Sequence, residues 1–173
     1  MMVAVRTSFV LLVFGLVHLS SSQRSSPPNG TVFPTFNLTN SVGLEVSNED
    51  FEWNYVLYEF WSPTCKRCVI FLDQMVRLDS AYANQDFVNG KGLKVVSICL
   101  SEDSLAWVHL SAHFKLNAAT NFYESKPMES KLANELHVSY LPYNFLVNGK
   151  GVIVAQGLHG ASLAEKILEF VSP

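Results

Sequence analysis

The residues Tyr55-Val56-Leu57-Tyr58-Glu59-Phe60-Trp61 form a nearly unbroken apolar run of β-branched and aromatic side chains. A strand with one wetted face alternates apolar and polar residues. A continuous run is what a central strand covered on both faces requires. Layers must therefore form on both sides of this segment. Pro63 ends the run, and from Lys66 to about Asn84 the residues Val69, Ile70, Leu72, Met75, Val76, Leu78 and Tyr82 recur at helical spacing. Leu93 to Leu100 reads as a second buried strand. A helix follows, opened by Ser101 with Glu102 and Asp103 in its first turn, where acids suit the dipole, and it runs to about His113. Two such strands joined by a helix imply a parallel pair with a right-handed crossover.

The flanks add antiparallel pieces. FNLT and LEVS lie either side of Asn40-Ser41-Val42-Gly43 and predict a short amino-terminal hairpin. Residues 114–127 read as irregular, and 128–137 as a short helix ending at Leu136-His137. Tyr143 to Val147 and Val152 to Ala155 flank an Asn148-Gly149 turn, a strong hairpin signal. A last helix spans Ala161 to Val171, with Leu163, Ile167, Leu168 and Val171 on one side. The fold class is α/β, a three-layer arrangement on a mixed sheet, with no internal repeat.

At 173 residues and 49% apolar, the chain holds one domain and a short extra, with core enough to fold unaided. Residues 1–22 read as a secretory signal: Arg6, an apolar run from Phe9 to Leu19, then Ser20, Ser21 and Ser22. That run is well short of the ~20 residues a bilayer span needs, so a membrane attachment requires the signal to stay uncleaved. Residues 23–33, QRSSPPNGTVF, read as a flexible tether, and 34–173 as the folded domain. Asn29-Gly30-Thr31 and Asn37-Leu38-Thr39 match the glycosylation acceptor pattern. The formal charge of −3 becomes −4 without Arg6, and no basic stripe exists, so nucleic acid is not a partner class for this chain.

Cys65 and Cys68 stand three positions apart, between the first buried strand and its helix. The pair could be a metal half-site, a permanent disulfide or a redox pair. Zinc requires two more ligands, and Cys99, His109, His113, His137 and His159 show none of the usual paired spacing, so no metal is expected. A permanent disulfide closing so short a loop would constrain the unfolded chain little. A redox pair suits the position, because free N–H groups and the dipole at a helix start favour thiolate. Lys66 and Arg67 add positive charge beside both sulfurs. The spacing then suits a cycle in which Cys65 forms a mixed disulfide and Cys68 resolves it.

Glu59 is the other informative residue of the strand. Buried between Tyr58 and Phe60, its carboxyl would have a raised pKa, letting it take and return the Cys68 proton near neutral pH. The alternative is an outward-facing residue at a sheet margin. Pro142 opens the late hairpin, where an X-Pro bond is a candidate cis peptide and otherwise an ordinary trans proline. Cys99 reads as a buried cysteine packing like a small apolar residue, the alternative being a third redox thiol.

In this order the motifs resemble those of the TlpA/ResA-like thiol–disulfide oxidoreductases of the thioredoxin superfamily. PTFNLTNSVGLEVS is similar to that group's amino-terminal hairpin, VLYEFWSPTCKRC to its active-site strand and loop, KVVSICLSEDSLAW to the next strand and helix, and HVSYLPYNFLVNGKGVIVAQG to its cis-proline segment. The resemblance covers residues 34–171 and implies a thioredoxin-like three-layer fold with an extra amino-terminal β-hairpin. It implies that Cys65 attacks, Cys68 resolves, Glu59 takes the place of the buried carboxylate and Pro142 is the cis-proline. Leu141 would offer backbone groups to an extended substrate, with Trp61 and Thr64 as further substrate contacts. No cofactor is implied, since the cysteines carry the electrons. The implied partners are protein disulfides or dithiols and an electron donor or acceptor outside the cytoplasm. The expected location is exported: the periplasm in a Gram-negative bacterium, or else the secretory lumen or exterior. Two departures stand out: Thr64 replaces the group's common tryptophan, and Lys66-Arg67 replaces the Gly-Pro of thioredoxins. The peroxiredoxin loop has its threonine three residues before the cysteine, not adjacent as here, and copper chaperones have three residues between their cysteines. From another class, a non-catalytic thioredoxin-fold binding module remains the alternative.

Overall fold

The computed structural model describes residues 25–173, so the expected signal segment lies outside the described residues. The amino-terminal hairpin forms as β1 (Asn37–Thr39) and β2 (Glu45–Ser47), paired antiparallel. The continuous apolar run is β3 (Asn54–Trp61), followed by α1 (Lys66–Tyr82). A two-residue strand β4 (Asp86–Phe87) leads into β5 (Gly90–Leu100). Then come α2 (Ser104–Phe114), β6 (Asn121–Glu124), α3 (Lys131–Glu135), β7 (Tyr143–Val147), β8 (Ile153–Gln156) and α4 (Ala161–Leu168).

The main sheet runs β4-β5-β3-β7-β8, with β6 on the same edge of β5 as β4. β3 pairs parallel with β5 and antiparallel with β7, which makes it the centre of a mixed sheet. Alternate residues of β3 enter two separate cores. Val56, Tyr58 and Phe60 pack with Phe33, Phe36, Phe51 and the Leu132, Ala133 and Leu136 of the α3 region. Tyr55, Leu57 and Trp61 face the other way, onto Cys68, Leu72 and Met75 of α1 and Leu163 and Ile167 of α4. This two-sided burial is why the run shows no alternation, and it places α1 and α4 in one layer with the amino-terminal segment and α3 in the other.

Several boundaries differ from the sequence reading. Asp103 caps α2 from outside, its Oδ1 accepting from Ala106 N at 2.9 Å, so the helix starts at Ser104 and not at Ser101. The stretch expected to be irregular contains β6, whose four residues pair parallel with Ser97 to Leu100 and bury Phe122 completely. Four residues in a polar context carry no periodicity, and only the waiting edge of β5 makes them a strand. The last helix ends at Leu168, and Val171 instead bridges Phe87. The tether assignment does not hold for its carboxyl part. Gly30 N donates to Ile153 O, Ile153 N to Thr31 O and Phe33 N to Gly151 O, at 2.8 to 2.9 Å, while the Phe33 ring stacks on Tyr58 at 4.1 Å. The free edge of β8 captures this segment, since unpaired strand groups seek partners.

Gly92 sits at a register shift between β3 and β5, where two residues of β5 pass one of β3. Its φ of +50° and the carbonyl of Ala83 lying where a Cβ would stand admit only glycine there.

Candidate active site

The β3 backbone delivers the chain to one end of the sheet and Pro63 turns it into α1. Cys65 is the N-cap of α1, in extended conformation, and the Cys68 N–H points at its sulfur at 3.1 Å. That contact is the one a thiolate at this position would use, a backbone donor supplemented by the helix dipole. The two cysteines form a disulfide with Cα atoms 5.2 Å apart. They are unequal in access: Cys65 is half-buried, Cys68 is 1% exposed, and Lys66 and Arg67 between them are exposed. An incoming partner reaches the first sulfur and not the second.

The Leu141–Pro142 peptide is cis, as its place before a strand suggested. Tyr143 pairs with Phe60, so Pro142 comes opposite Trp61 at the end of β3, where the loop to Cys65 begins. Leu141 and Cys65 are both partly buried residues at the margin of the core under α1. Thr64 is exposed, its hydroxyl 3.1 Å from that of Ser62. Trp61 is a correction. It is fully buried, and its indole N–H donates to Ser97 Oγ at 2.7 Å, so it supports the site from below and offers no surface to a substrate.

Glu59 shares the α1-facing side of β3 with Leu57 and Trp61 and is 2% exposed, so the outward-facing alternative is wrong. Its Oε2 accepts from Asn144 Nδ2 at 2.9 Å, and its Oε1 lies 3.0 Å from His159 Nε2. Burial raises its pKa, and the His159 and Asn144 contacts offset only part of that effect. The raised value matches the sequence argument, but the two partners were not foreseen. Asn144 lies on the neighbouring strand β7, directly across from Glu59, and His159 is 100 positions away, in the loop before α4. A polar residue inside the otherwise apolar Tyr143–Val147 run was the available signal for Asn144, because a buried amide implies a buried polar partner. No comparable signal marks His159.

Cys99 lies between Trp61 of β3 and Tyr123 of β6 in register and is fully buried. Burial first, and the charge of Asp103 second, push its thiol up to about 12, so it stays protonated and unreactive at neutral pH.

The thioredoxin-like family model matches residues 53–153, more than half of the chain. No curated protein matches the sequence. Among solved structures, a thiol-disulfide oxidoreductase from Bacteroides fragilis is 26% identical with a TM-score of 0.70, over 80% of this chain and 98% of that one. The thioredoxin domain of a thiol-disulfide oxidoreductase from Bacteroides vulgatus is 22% identical with a TM-score of 0.75, over 85% and 100%. A secreted disulfide oxidoreductase of Mycobacterium tuberculosis shares the fold at 15% identity and a TM-score of 0.61, over 78% and 95%. The chain belongs to the thioredoxin-like family, and with its intact Cys-x-x-Cys pair it is a thiol–disulfide oxidoreductase.

Proposed function

We propose that this protein reduces or exchanges disulfides in other proteins outside the cytoplasm, residues 1–22 acting as its export signal. The observation that carries this reading is the unequal cysteine pair: a half-buried Cys65 capping α1, bonded to a buried Cys68 on the face that holds Glu59.

In the reducing direction, Cys65 thiolate attacks one sulfur of a substrate disulfide. That S–S bond breaks, a mixed disulfide forms, and the first substrate sulfur leaves as thiolate and takes a proton from water. Cys68 then gives a proton to Glu59, whose carboxyl passes one on, and attacks Cys65 Sγ. The mixed disulfide breaks, the second substrate thiolate leaves and is protonated, and Cys65–Cys68 is left oxidised. Two electrons have passed to the substrate, and an extracytoplasmic dithiol donor must return them. Run backwards, the same steps form disulfides. Thr64 and Leu141, beside the cis Pro142, are the groups that would touch an extended substrate segment, Leu141 through its backbone.

Cys65→Ser should abolish reduction of insulin disulfides by the protein. Cys68→Ser should retain the first step only and accumulate a covalent, dithiothreitol-sensitive complex with a protein substrate. Full activity in Cys65→Ser would refute the proposal and leave the fold as a binding scaffold.

A further inference from the structure

The Glu59 carboxyl is sealed on the α1 side of the sheet, so a proton it takes up must leave by a defined route. Asn144 closes one side. It has two amide hydrogens, and both are committed, one to Leu158 O at 2.6 Å and one to Glu59 Oε2 at 2.9 Å. Its 3.2 Å approach to His159 Nε2 therefore carries no hydrogen of its own. The hydrogen between Glu59 Oε1 and His159 Nε2, 3.0 Å apart, then belongs to one of those two atoms: a carboxyl O–H donating to the ring, or a ring N–H donating to carboxylate.

The imidazole is held from several sides. Asn144 accepts through its backbone from Gly157 N at 2.9 Å and through Oδ1 from Leu158 N at 3.1 Å. From α1, Gln74 donates to Gly160 O at 2.7 Å and accepts from Gly160 N at 3.0 Å, and the Phe71 ring lies 4.6 Å from the imidazole. His159 is 15% exposed, against 2% for Glu59. Its Nδ1 bonds no described residue. Every fully buried side-chain nitrogen among the described residues has a partner, so Nδ1 reaches water. Around the pair, β5 places Ser97 and β7 places Asn144 in register with Glu59, while α1 brings Phe71 and Gln74 to the His159 loop and Cys68 into the same core. With Cys65 and Cys68 joined, His159 is the one side chain of possible charge among the described residues that acts on the carboxyl.

We propose that His159 is the proton relay of this site, linking buried Glu59 to water while touching neither sulfur. This rests on the reading that Glu59 takes the Cys68 proton. When Cys68 is deprotonated, its proton enters the Glu59 carboxyl as the hydrogen on Oε1 moves to His159 Nε2, and an equal proton leaves Nδ1 for water. The opposite half-cycle runs the same hops backwards, so the ring returns to its first tautomer and no net charge stays in the core. His159 is thus a positioning residue that acts through Glu59.

The test uses the reduced protein and Ellman's reagent, whose first thionitrobenzoate is released by Cys65 attack and whose second reports Cys68 resolving the mixed disulfide. His159→Gln keeps a donor for Glu59 yet carries no mobile proton. It should slow the second release by about 10²-fold, the low end of what positioned proton transfer contributes, and leave the first unchanged. His159→Ala should be equally slow and be restored by added imidazole. A second release at wild-type rate in His159→Gln overturns the relay, as does a slow His159→Ala that imidazole does not restore. If His159→Ala fails to fold, His159→Gln decides alone. Glu59→Gln separates the two levels: a normal second release there removes the base beneath the relay, whereas a slow Glu59→Gln beside a normal His159→Gln removes the relay only.

Discussion

Glu59 ties the stability of this protein to pH with a predictable sign. In the unfolded chain its carboxyl titrates near 4.5, and in the folded protein burial holds it higher. Below 4.5 both states carry the proton and the group contributes no slope. Above it the unfolded chain loses the proton while the folded one keeps it, so the folded state binds one more proton. Stability from this group is therefore full at low pH and is lost as pH rises toward the folded value. One proton corresponds to a slope of about −1.4 kcal/mol per pH unit, ending where the folded carboxyl ionises. Glu59→Gln removes the titration and keeps the contacts, because the amide oxygen can accept from Asn144 and the amide N–H can donate to His159 Nε2. Urea unfolding of the oxidised protein at intervals from pH 4 to 8 isolates the effect, since the disulfide keeps Cys65 and Cys68 from titrating. Glu124, also raised by burial, contributes a slope of the same sign, but it is common to both proteins and cancels in the difference. The wild type should lose stability relative to Glu59→Gln by about 1.4 kcal/mol per unit from pH 4.5 upward. A difference that is flat, or that grows in favour of the wild type, would refute the account of Glu59 as a carboxyl held protonated by burial.

Three further outcomes are expected. Asn144→Ala removes two donated bonds and one accepted bond around a buried carboxyl, and should cost about 3 kcal/mol in urea unfolding at neutral pH. Lys66→Gly with Arg67→Pro removes two exposed positive charges beside the sulfurs, and should make the pair more reducing by roughly 20–40 mV in equilibration with glutathione. An unchanged potential counts against the electrostatic role of that dipeptide. Gly92→Ala places a Cβ against the Ala83 carbonyl at positive φ and should lower stability by about 2 kcal/mol or more, read as a fall in thermal midpoint.

The site itself was partly legible in the chain. Cys65, Cys68, Pro142 and Glu59 lie where short-range rules apply: a strand end, a helix start, an X-Pro bond, a charge inside an apolar run. Trp61 was misplaced because adjacency to a motif says nothing of direction. The strand pleat turns its ring into the core, and Ser97 on the neighbouring strand takes its N–H. β6 and the docked segment 30–33 were missed for a related reason, since each is a strand only because an unpaired edge of β5 or β8 lies beside it.

By itself the sequence determined the layers, through the two-sided apolar run of β3, and the chemistry, through a Cys-x-x-Cys placed where helix-start N–H groups favour thiolate. Both follow from interactions spanning a few residues, which local spacing records. The tertiary structure alone decided which groups meet the buried carboxyl. Asn144 reaches Glu59 through antiparallel pairing across 85 positions, and His159 through a loop clamped between β7 and α1 across 100. Such contacts are set by strand register and by how the last helix closes over the sheet, and neither leaves a periodicity in the chain.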